Sequence, residues 1–402
     1  MSRLTGLPRA GWAWVTAHRD RLPPAVDRRL ERAKWALKRP PKDLSGVAWP
    51  TQPGHRVLIA PANSAGQGAA WAKALENAGL AWGDNWEFVA GSRFDYPATY
   101  RVPVGVNGAS LDFQQRQFEV VTANYHAVVL ESGLPLFGRL FGYDPAKEAE
   151  ALVAAGLKVA VLWHGSDIRL PSWHARAYQL SPYVLPALRR QAAAWEATAK
   201  RHRRAMAPLG LPQLVSTPDL LEAMAGAIWC PVVVKRSAGS DRPILGAAVP
   251  KVVHVPSNQW LKGTDLVEPV LRQMADDGAI DYVQATGLSS AEVKELYQGA
   301  DIVADQFRMG IYGVAACEAM AGGRLVVSDV DCSVRDRVKA ETGMDLPVWQ
   351  STAADLRANL ERIVAQRDHA RQLAKAGQGF VRAVHSGARS ARVLATVLGL
   401  GG

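Results

Sequence analysis

The sequence has few cysteines, no long hydrophobic run and no metal-binding spacing. Its only cysteines among 402 residues are Cys230, Cys317 and Cys332, an odd number at wide spacing, so neither a disulfide framework nor a zinc site is predicted. No apolar run reaches the ~18 residues that a membrane-spanning helix needs. The N-terminus lacks the continuous apolar core of a signal peptide. We therefore expect a cytoplasmic protein.

The composition is that of a globular protein with an uneven charge. Hydrophobic residues make up 48% of the chain and charged residues 21%, and 402 residues are enough for two domains with cores of their own. The formal net charge is +10, and residues 1–42 hold eleven Lys or Arg against three Asp or Glu, which gives this segment +8. Such asymmetry favours an anionic partner, either a membrane surface or a nucleic acid.

The basic segment contains a candidate amphipathic helix at Pro24–Lys38, flanked by a proline-rich break. Its apolar positions fall on one face. A basic helix with tryptophans can lie on an anionic bilayer, here at the inner face of the membrane, or its apolar face can dock on its own protein. A role with nucleic acid is disfavoured, because aromatic and basic residues interleave only in this extension while the rest is nearly neutral. The apolar face contains Val26, Leu30, Ala33 and Leu37.

The chain after residue 50 opens with a strand, a glycine-bearing loop and a helix. His55–Ala60 is an apolar run typical of a buried parallel strand, and the loop Pro61–Gly68 leads into a helix at Ala69–Ala78. This is the opening unit of a Rossmann-like fold, although the loop is not a G-x-G-x-x-G, so dinucleotide binding is not predicted. The loop residues Ser64, Gly66 and Gln67 either face an acceptor substrate or form a plain tight turn.

A polar cluster follows the third clear strand, Lys158–Trp163. In open α/β sheets ligands bind beyond the carboxyl ends of the strands, which is where His164, Asp167 and Arg169 fall. The histidine could relay a proton or bind a sugar hydroxyl, the aspartate could orient it, and the arginine could meet an acceptor phosphate or carboxylate. The alternative is a turn stabilised by the aspartate, with an Arg–Asp pair. Ala81–Arg116 predicts only loops and short strands.

The second half repeats the alternation of strands and helices. Lys235–Ala248 is rich in Gly, Ser and Pro and predicts a linker. The spacing that follows predicts a second doubly wound parallel sheet, so the fold class is α/β, with two Rossmann-like domains facing a cleft. We assign residues 1–50 to a basic helical extension, 51–235 and 236–385 to the two domains, and 386–402 to a C-terminal helix that crosses back to the first domain. The predicted strands are Val252–Val255, Ile280–Gln284, Ile302–Ala304 and Leu325–Ser328.

Two stretches of the second half have features of an anion site. Lys262 lies near a predicted helix start at the sheet's carboxyl edge, which suits a diphosphate, although taken alone it is more typical of a surface charge beside an N-cap at Thr264 or Asp265. Gly310–Gly323, GIYGVAACEAMAGG, places glycines before a short apolar helix whose one charged residue is Glu318. A carboxylate there is costly without a polar partner. That partner is either a ligand or a neighbouring arginine.

These stretches, LKGTD at 261–265 and Gly310–Gly323, resemble the glycosyltransferases of the two-Rossmann (GT-B) fold, in particular family 4. The turn HGSDIR at 164–169 and the late helix Gly379–Ala395 are also similar to that family, and the resemblance runs from about residue 56 to 392. It implies sugar transfer from a UDP- or GDP-linked donor to an acceptor hydroxyl, with retention of configuration and with neither a metal nor another cofactor. The acceptor is unidentified, with a glycolipid or a polysaccharide as candidates.

The resemblance also implies roles for individual residues. Lys262, beside Gly263, would neutralise the donor diphosphate, and Glu318 would accept hydrogen bonds from the ribose hydroxyls. Backbone N–H groups around Tyr312 and Gly313 would hold phosphate oxygens. His164 would face the transferred sugar from the other domain.

Two positions depart from the family's pattern. Its two glutamates are separated by seven residues, and Gly310 occupies the first of these positions. The arginine that usually precedes the lysine is also missing, and Arg308 or Arg236 would have to replace it. These departures keep two alternatives open. One is a sugar-nucleotide epimerase or hydrolase on the same fold, and the other is a protein that binds nucleotide-sugars or glycans without turnover.

Overall fold

The computed structural model describes residues 54–89, 96–104, 107, 110–235 and 243–400. The predicted basic extension at 1–50 and Arg236 lie outside the described residues, so both stay predictions.

Seven described strands form the sheet of the first domain, and all of them run parallel. The apolar runs predicted to be buried are its centre, because the sheet order is β3-β2-β1-β4-β5-β6-β7 and nearly every residue of β1, β4 and β5 is buried. The strands are β1 (Arg56–Ala60), β2 (Trp82–Val89), β3 (Tyr100–Pro103), β4 (Ala127–Glu131), β5 (Lys158–Trp163), β6 (Gln213–Val215) and β7 (Ile228–Trp229).

Described helices lie between all consecutive strands of this sheet except β2 and β3. Two of these helices begin with a side-chain cap: Ser110 accepts a hydrogen bond from the Phe113 N–H, and Asp144 accepts one from the Ala146 N–H. The helices of the first domain are α1 (Gln67–Asn77), α2 (Leu111–Asn124), α3 (Pro145–Ala154), α4 (Pro171–Ala177), α5 (Arg189–Met206) and α6 (Leu220–Ala223).

The second domain repeats this arrangement around five described parallel strands, in the order β12-β11-β10-β8-β9. The predicted doubly wound sheet is therefore confirmed. Its strands are β8 (Lys251–His254), β9 (Asp281–Gln284), β10 (Ile302–Ala304), β11 (Leu325–Ser328) and β12 (Trp349–Gln350). Its helices are α7 (Gln259–Lys262), α8 (Thr264–Asp276), α9 (Ser290–Gly299), α10 (Val314–Ala321), α11 (Cys332–Thr342), α12 (Leu356–Ala365) and α13 (Arg367–Phe380).

The end of the chain returns to the first domain. A π-helical turn at Val381–His385 leads into α14 (Ala388–Leu398), whose side chains Ala391 and Leu394 pack in one buried cluster with β1 and α1. The Ser390 hydroxyl donates to the Pro231 carbonyl at 2.7 Å. The last helix thus closes the core of the first domain with residues from the end of the chain.

A shared hydrophobic core also joins the two domains. One buried cluster contains Trp163 and Ile168 from the first domain together with Tyr312 and Phe380 from the second. A smaller cluster joins Tyr183 of the first domain to Met309 and its neighbours in the second domain. The cleft between the domains is therefore closed by packed side chains on these sides and open elsewhere.

Candidate functional site

A cleft of about 680 Å³ lies between the two domains. Gly66, Gln67 and Tyr96 border it from the first domain, and Lys294 and Glu318 border it from the second. Its size is within the range of small-molecule sites. It therefore brings two of the loop residues predicted to face an acceptor together with the carboxylate predicted to face a donor.

Glu318 is the isolated acid of helix α10, and it points into this cleft. The other side chains in the middle of the helix, Cys317 and Ala319 among them, are buried. Solvent reaches the Glu318 side chain through the cleft, yet protein surrounds it on several sides. This enclosure raises its pKa to about 7, with Lys294 acting in the opposite direction. Among the described residues the carboxylate has no hydrogen-bond or ion-pair partner, so it is available to a ligand.

The start of helix α10 is also open. Gly313 occupies the N-cap position, no side chain caps the helix, and a Cβ at Gly313 would meet no atom within 4 Å. Gly313, Val314 and Ala315 are each partly exposed, so the first turn of α10 is accessible, and N–H groups at helix starts can bind phosphate. The Tyr312 side chain is buried instead, with its hydroxyl 3.3 Å from His385 Nε2, so only its backbone could serve a ligand.

Lys262 ends the short helix α7 and pairs with Asp305, which follows strand β10. Gly263 separates α7 from α8 with a φ of +75°, and a side chain there would press on Phe307 and Arg308. Lys262 is not among the residues that line the 680 Å³ cleft. Burial raises the pKa of Tyr297, which lines the cleft, and the negative charges of Asp305 and Glu318 raise it further.

Arg308, the predicted substitute for the family's arginine, is also engaged within the protein. Its Nη2 donates to Asp265 Oδ2 at 2.6 Å and its Nε to Oδ1 at 3.3 Å, across the start of helix α8. Its side chain is nearly buried. Both predicted donor cations are thus neutralised by aspartates of their own domain.

Gly310 stands where the family's first glutamate would be, and the first domain fills the space beside it. Its φ is +64°, and a Cβ would come within 2.6 Å of the Tyr178 ring. That ring stacks on His174 at a centroid distance of 4.3 Å, and His174 Nε2 lies 3.1 Å from the Met309 carbonyl. Tyr178 therefore covers the position where the missing carboxylate would project.

His164 contacts a buried acid that the sequence did not suggest. Its Nε2 lies 3.0 Å from Glu131 Oε1, at the end of strand β4. Glu131 is fully buried and also accepts from the N–H groups of Ala62 and Asn63 in the loop after β1. Burial by itself lowers the pKa of His164, but the hydrogen bond and charge of Glu131 outweigh it, so the pKa is raised. Glu131 thus ties the histidine to the β1–α1 loop.

Asp167 and Arg169 take the structural roles that the sequence left as alternatives. Asp167 accepts from the backbone N–H groups of His164 at 2.9 Å and Gly165 at 2.7 Å, so it shapes the turn, and the partner of the imidazole is Glu131 rather than Asp167. Arg169 is buried and donates to Asp219 from both Nε and Nη2. This pairing leaves Arg169 neutralised within the first domain rather than directed at a ligand.

The loop after β1 divides between the cleft and the core. Gly66 lies under the Tyr96 ring at the edge of the cleft, where a Cβ would come within 2.9 Å of that ring. Gln67 lines the cleft, but its amide exchanges hydrogen bonds with the backbone of Val233. Ser64 is exposed in a 3₁₀ turn and is not among the residues lining the cleft.

Among the described residues no group of three His, Cys, Asp or Glu side chains could hold a metal ion. None of the described helices is both long and apolar enough to cross a membrane.

Comparison with known proteins gives a match in structure but not in sequence. No protein-family model matches the chain, and no curated protein does. Sucrose-phosphate synthase from Thermosynechococcus elongatus is 13% identical, over 85% of this chain and 97% of that one, with a TM-score of 0.53. Anabaena HepE, solved with UDP and glucose, is 9% identical, over 86% of this chain and 100% of that one, with a TM-score of 0.53.

A glycosyltransferase from Rickettsia africae is similar in the same way. It is 11% identical, over 85% of this chain and 97% of that one, with a TM-score of 0.51. These matches span both domains at low identity, so what they share with this chain is the fold. The chain has the GT-B fold, with two Rossmann-like parallel-sheet domains facing a cleft.

Proposed function

We propose that this protein is a glycosyltransferase that moves a sugar from a nucleotide-sugar donor to an acceptor hydroxyl. The observation that carries the proposal is Glu318, a carboxylate in the interdomain cleft with a raised pKa and no partner among the described residues, one turn beyond the start of α10. A carboxylate in such a place suits hydroxyl donors such as the ribose of a nucleotide. The GT-B fold raises the likelihood by analogy alone.

The donor would bind along helix α10 of the second domain. Glu318 would accept from the ribose hydroxyls, and the N–H groups from Tyr312 and Gly313 onward would hold the diphosphate, whose charge grows as the sugar leaves. Lys262, next to Gly263, would approach the same phosphates by exchanging Asp305 for them. Arg308 would contribute only if it also left its aspartate. We propose a UDP- or GDP-linked donor.

The reaction itself would occur at the edge that His164 occupies. The bond between the sugar's anomeric carbon and the diphosphate breaks, and the bond to the acceptor oxygen forms on the same face, as the family-4 resemblance implies. The acceptor's hydroxyl proton would pass to the departing diphosphate. His164, held by Glu131, would contact the sugar, while Asp167 shapes the turn that carries it. The proposal requires neither a metal nor another cofactor. It places the protein in the cytoplasm, with residues 1–42 against an anionic membrane.

The alternatives to sugar transfer have an observation of their own. Tyr178 covers Gly310, so the carboxylate that would hold the donor sugar is absent and its place is filled. This favours a protein that binds nucleotide-sugars without turnover, or an epimerase or hydrolase, over a transferase that depends on that acid. Product analysis separates them. Release of nucleoside diphosphate that depends on added acceptor supports transfer, whereas binding without any release supports the non-catalytic protein.

The donor assignment is tested by replacing Glu318 and a matched acid. Glu318→Gln keeps the shape and removes the charge, and Glu295→Gln makes the same change on an exposed face of α9, outside the cleft. A hydrogen bond to a charged group contributes about 1.5–3 kcal/mol, so UDP or GDP should bind roughly tenfold or more weakly to Glu318→Gln in calorimetric titration. Glu295→Gln should bind as the parent does. Equal affinity in both variants would refute the donor assignment.

A further inference from the structure

The interdomain cleft has two chemically different walls. The wall from the first domain, here called the apolar wall, is built of small side chains that remain accessible. The wall from the second domain, here called the polar wall, presents hydroxyl, ammonium, amide and carboxylate groups. The apolar wall consists of Ala65, Ala69, Ala70, Pro97 and Ala98, and the polar wall of Ser290, Lys294, Gln298 and Glu318.

Apart from Lys235, which has no partner among the described residues, the polar groups on the first-domain side have partners within the protein. The amide of Gln67 donates to the Val233 carbonyl at 3.0 Å and accepts from the Val233 N–H. The Thr99 hydroxyl oxygen accepts from the Asn85 N–H at 3.1 Å. Lys73 pairs with Glu76 at 2.6 Å. What remains for a ligand on this side is mainly methyl and methylene surface.

This division decides between two kinds of acceptor. A polysaccharide carries hydroxyl groups around each ring, and every hydroxyl that loses water without gaining a partner costs on the order of 1–3 kcal/mol. An apolar body gains about 25 cal/mol for each Å² that it removes from water. The apolar wall therefore penalises a polysaccharide and favours a molecule whose body is apolar.

We propose that the acceptor is an alcohol or phenol with an apolar body, which lies against the apolar wall and presents its hydroxyl to the donor sugar. The inference rests on the proposed function, because Glu318 at the polar wall is assigned to the donor. The cleft of about 680 Å³ has the size of a site for a small molecule. An alkyl alcohol and an aromatic phenol share the required chemistry.

The test uses the full chain saturated with UDP and three probes, followed by NMR titration. The probes are n-octanol, 2-naphthol and the polar oligosaccharide maltotriose. We expect at least one of the apolar probes to bind about tenfold or more tightly than maltotriose, and the stronger of the two identifies the body as alkyl or aromatic. If maltotriose binds as tightly as both apolar probes, the inference is overturned.

A pair of variants shows whether the apolar wall is the binding surface. Ala69→Glu places a charge on the wall in the first turn of α1, where an acid suits the helix dipole, so the fold should tolerate it. Asn77→Glu adds the same side chain at the exposed end of α1, outside the cleft. Ala69→Glu should weaken binding of the apolar probe about tenfold, and Asn77→Glu should not. Equal binding by both variants would contradict the inference.

The UDP measurement separates this inference from the donor assignment. Ala69→Glu should bind UDP as the parent does, because the change lies on the wall opposite Glu318. Failure of both apolar probes while UDP binding is intact overturns the acceptor class alone. UDP binding that is unchanged in Glu318→Gln overturns the donor assignment, and the acceptor class with it.

Discussion

The contact between Gly310 and Tyr178 predicts a large effect from a single methyl group. Gly310→Ala forces an L-residue to a φ of +64° and drives its Cβ to 2.6 Å from two carbons of the Tyr178 ring. The left-handed backbone costs about 1–2 kcal/mol, and overpacking of a filled site costs about 1–3 kcal/mol more. The free energy of unfolding should therefore fall by roughly 2–5 kcal/mol.

Gly343→Ala is the matched control for the cost of placing an L-residue in the left-handed backbone conformation. Gly343 follows helix α11 with a φ of +71°, and a Cβ there would meet no atom within 4 Å. It should lose only about 1–2 kcal/mol. Urea unfolding followed by circular dichroism measures both losses, provided that the slope against urea is unchanged. The difference between the two variants then reports the contact with Tyr178.

Measuring Gly310→Ala in a Tyr178→Ala protein tests directly whether the Tyr178 ring causes the loss of stability. In a Tyr178→Ala protein the ring is gone, so Gly310→Ala should cost no more than Gly343→Ala does in the parent. A loss from Gly310→Ala that equals the loss from Gly343→Ala in the parent chain would refute the claim that Tyr178 fills the place of the missing acid. The domain interface drawn from His174, Tyr178 and Met309 would then be wrong as well.

Two further predictions concern protonation. Burial raises the pKa of Glu318 to about 7, and the ionised carboxylate is the stronger hydrogen-bond acceptor. The affinity for UDP should therefore fall about tenfold between pH 8 and pH 6, relative to the Glu318→Gln protein, in which only the phosphate of UDP titrates. Equal pH profiles for the two proteins would contradict this prediction. In the Glu131→Gln protein the pKa of His164, measured by NMR titration, should be lower than in the parent, because the charge and hydrogen bond that raise it are lost. The pKa of His202 should not change. An unchanged pKa of His164 would show that Glu131 does not hold the imidazole.

The strands that could be predicted from the sequence are those with local signals. The apolar runs at β1, β4 and β5 are typical of strands buried on both faces, and the structure places these strands at the centre of the sheet. Strand β2 was not predicted as one long strand, because Gly83, Asp84 and Asn85 are poor strand formers. The structure explains why this strand contains a glycine. A Cβ at Gly83 would come within 2.2 Å of the backbone of Ala72 in α1, so only glycine allows the helix to pack this close to the strand.

The residues of the candidate site also differ in whether they have a local signal in the sequence. Glu318 could be found because an acid alone on an apolar helix has a local signature. The partners of the other charged groups could not, since Arg169 meets Asp219 fifty residues away and His164 meets Glu131 across thirty-three. A cation near the end of a strand has the same pattern whether its counter-ion is a ligand or a distant aspartate. Sequence therefore identifies which groups need a partner better than it identifies the partner.

This distinction determines which residue is the sharper test of nucleotide binding. Lys262 already forms an ion pair with Asp305. If Lys262 instead paired with a diphosphate, it would replace one anionic partner with another, and Asp305 would lose its cation. The net contribution of Lys262 is the difference between two ion pairs, and Lys262→Ala would also leave a buried acid unpaired. Glu318 has no partner among the described residues to give up, so its hydrogen bonds to a ligand replace only water. Loss of binding in Glu318→Gln therefore reports the nucleotide site more directly than any change at Lys262.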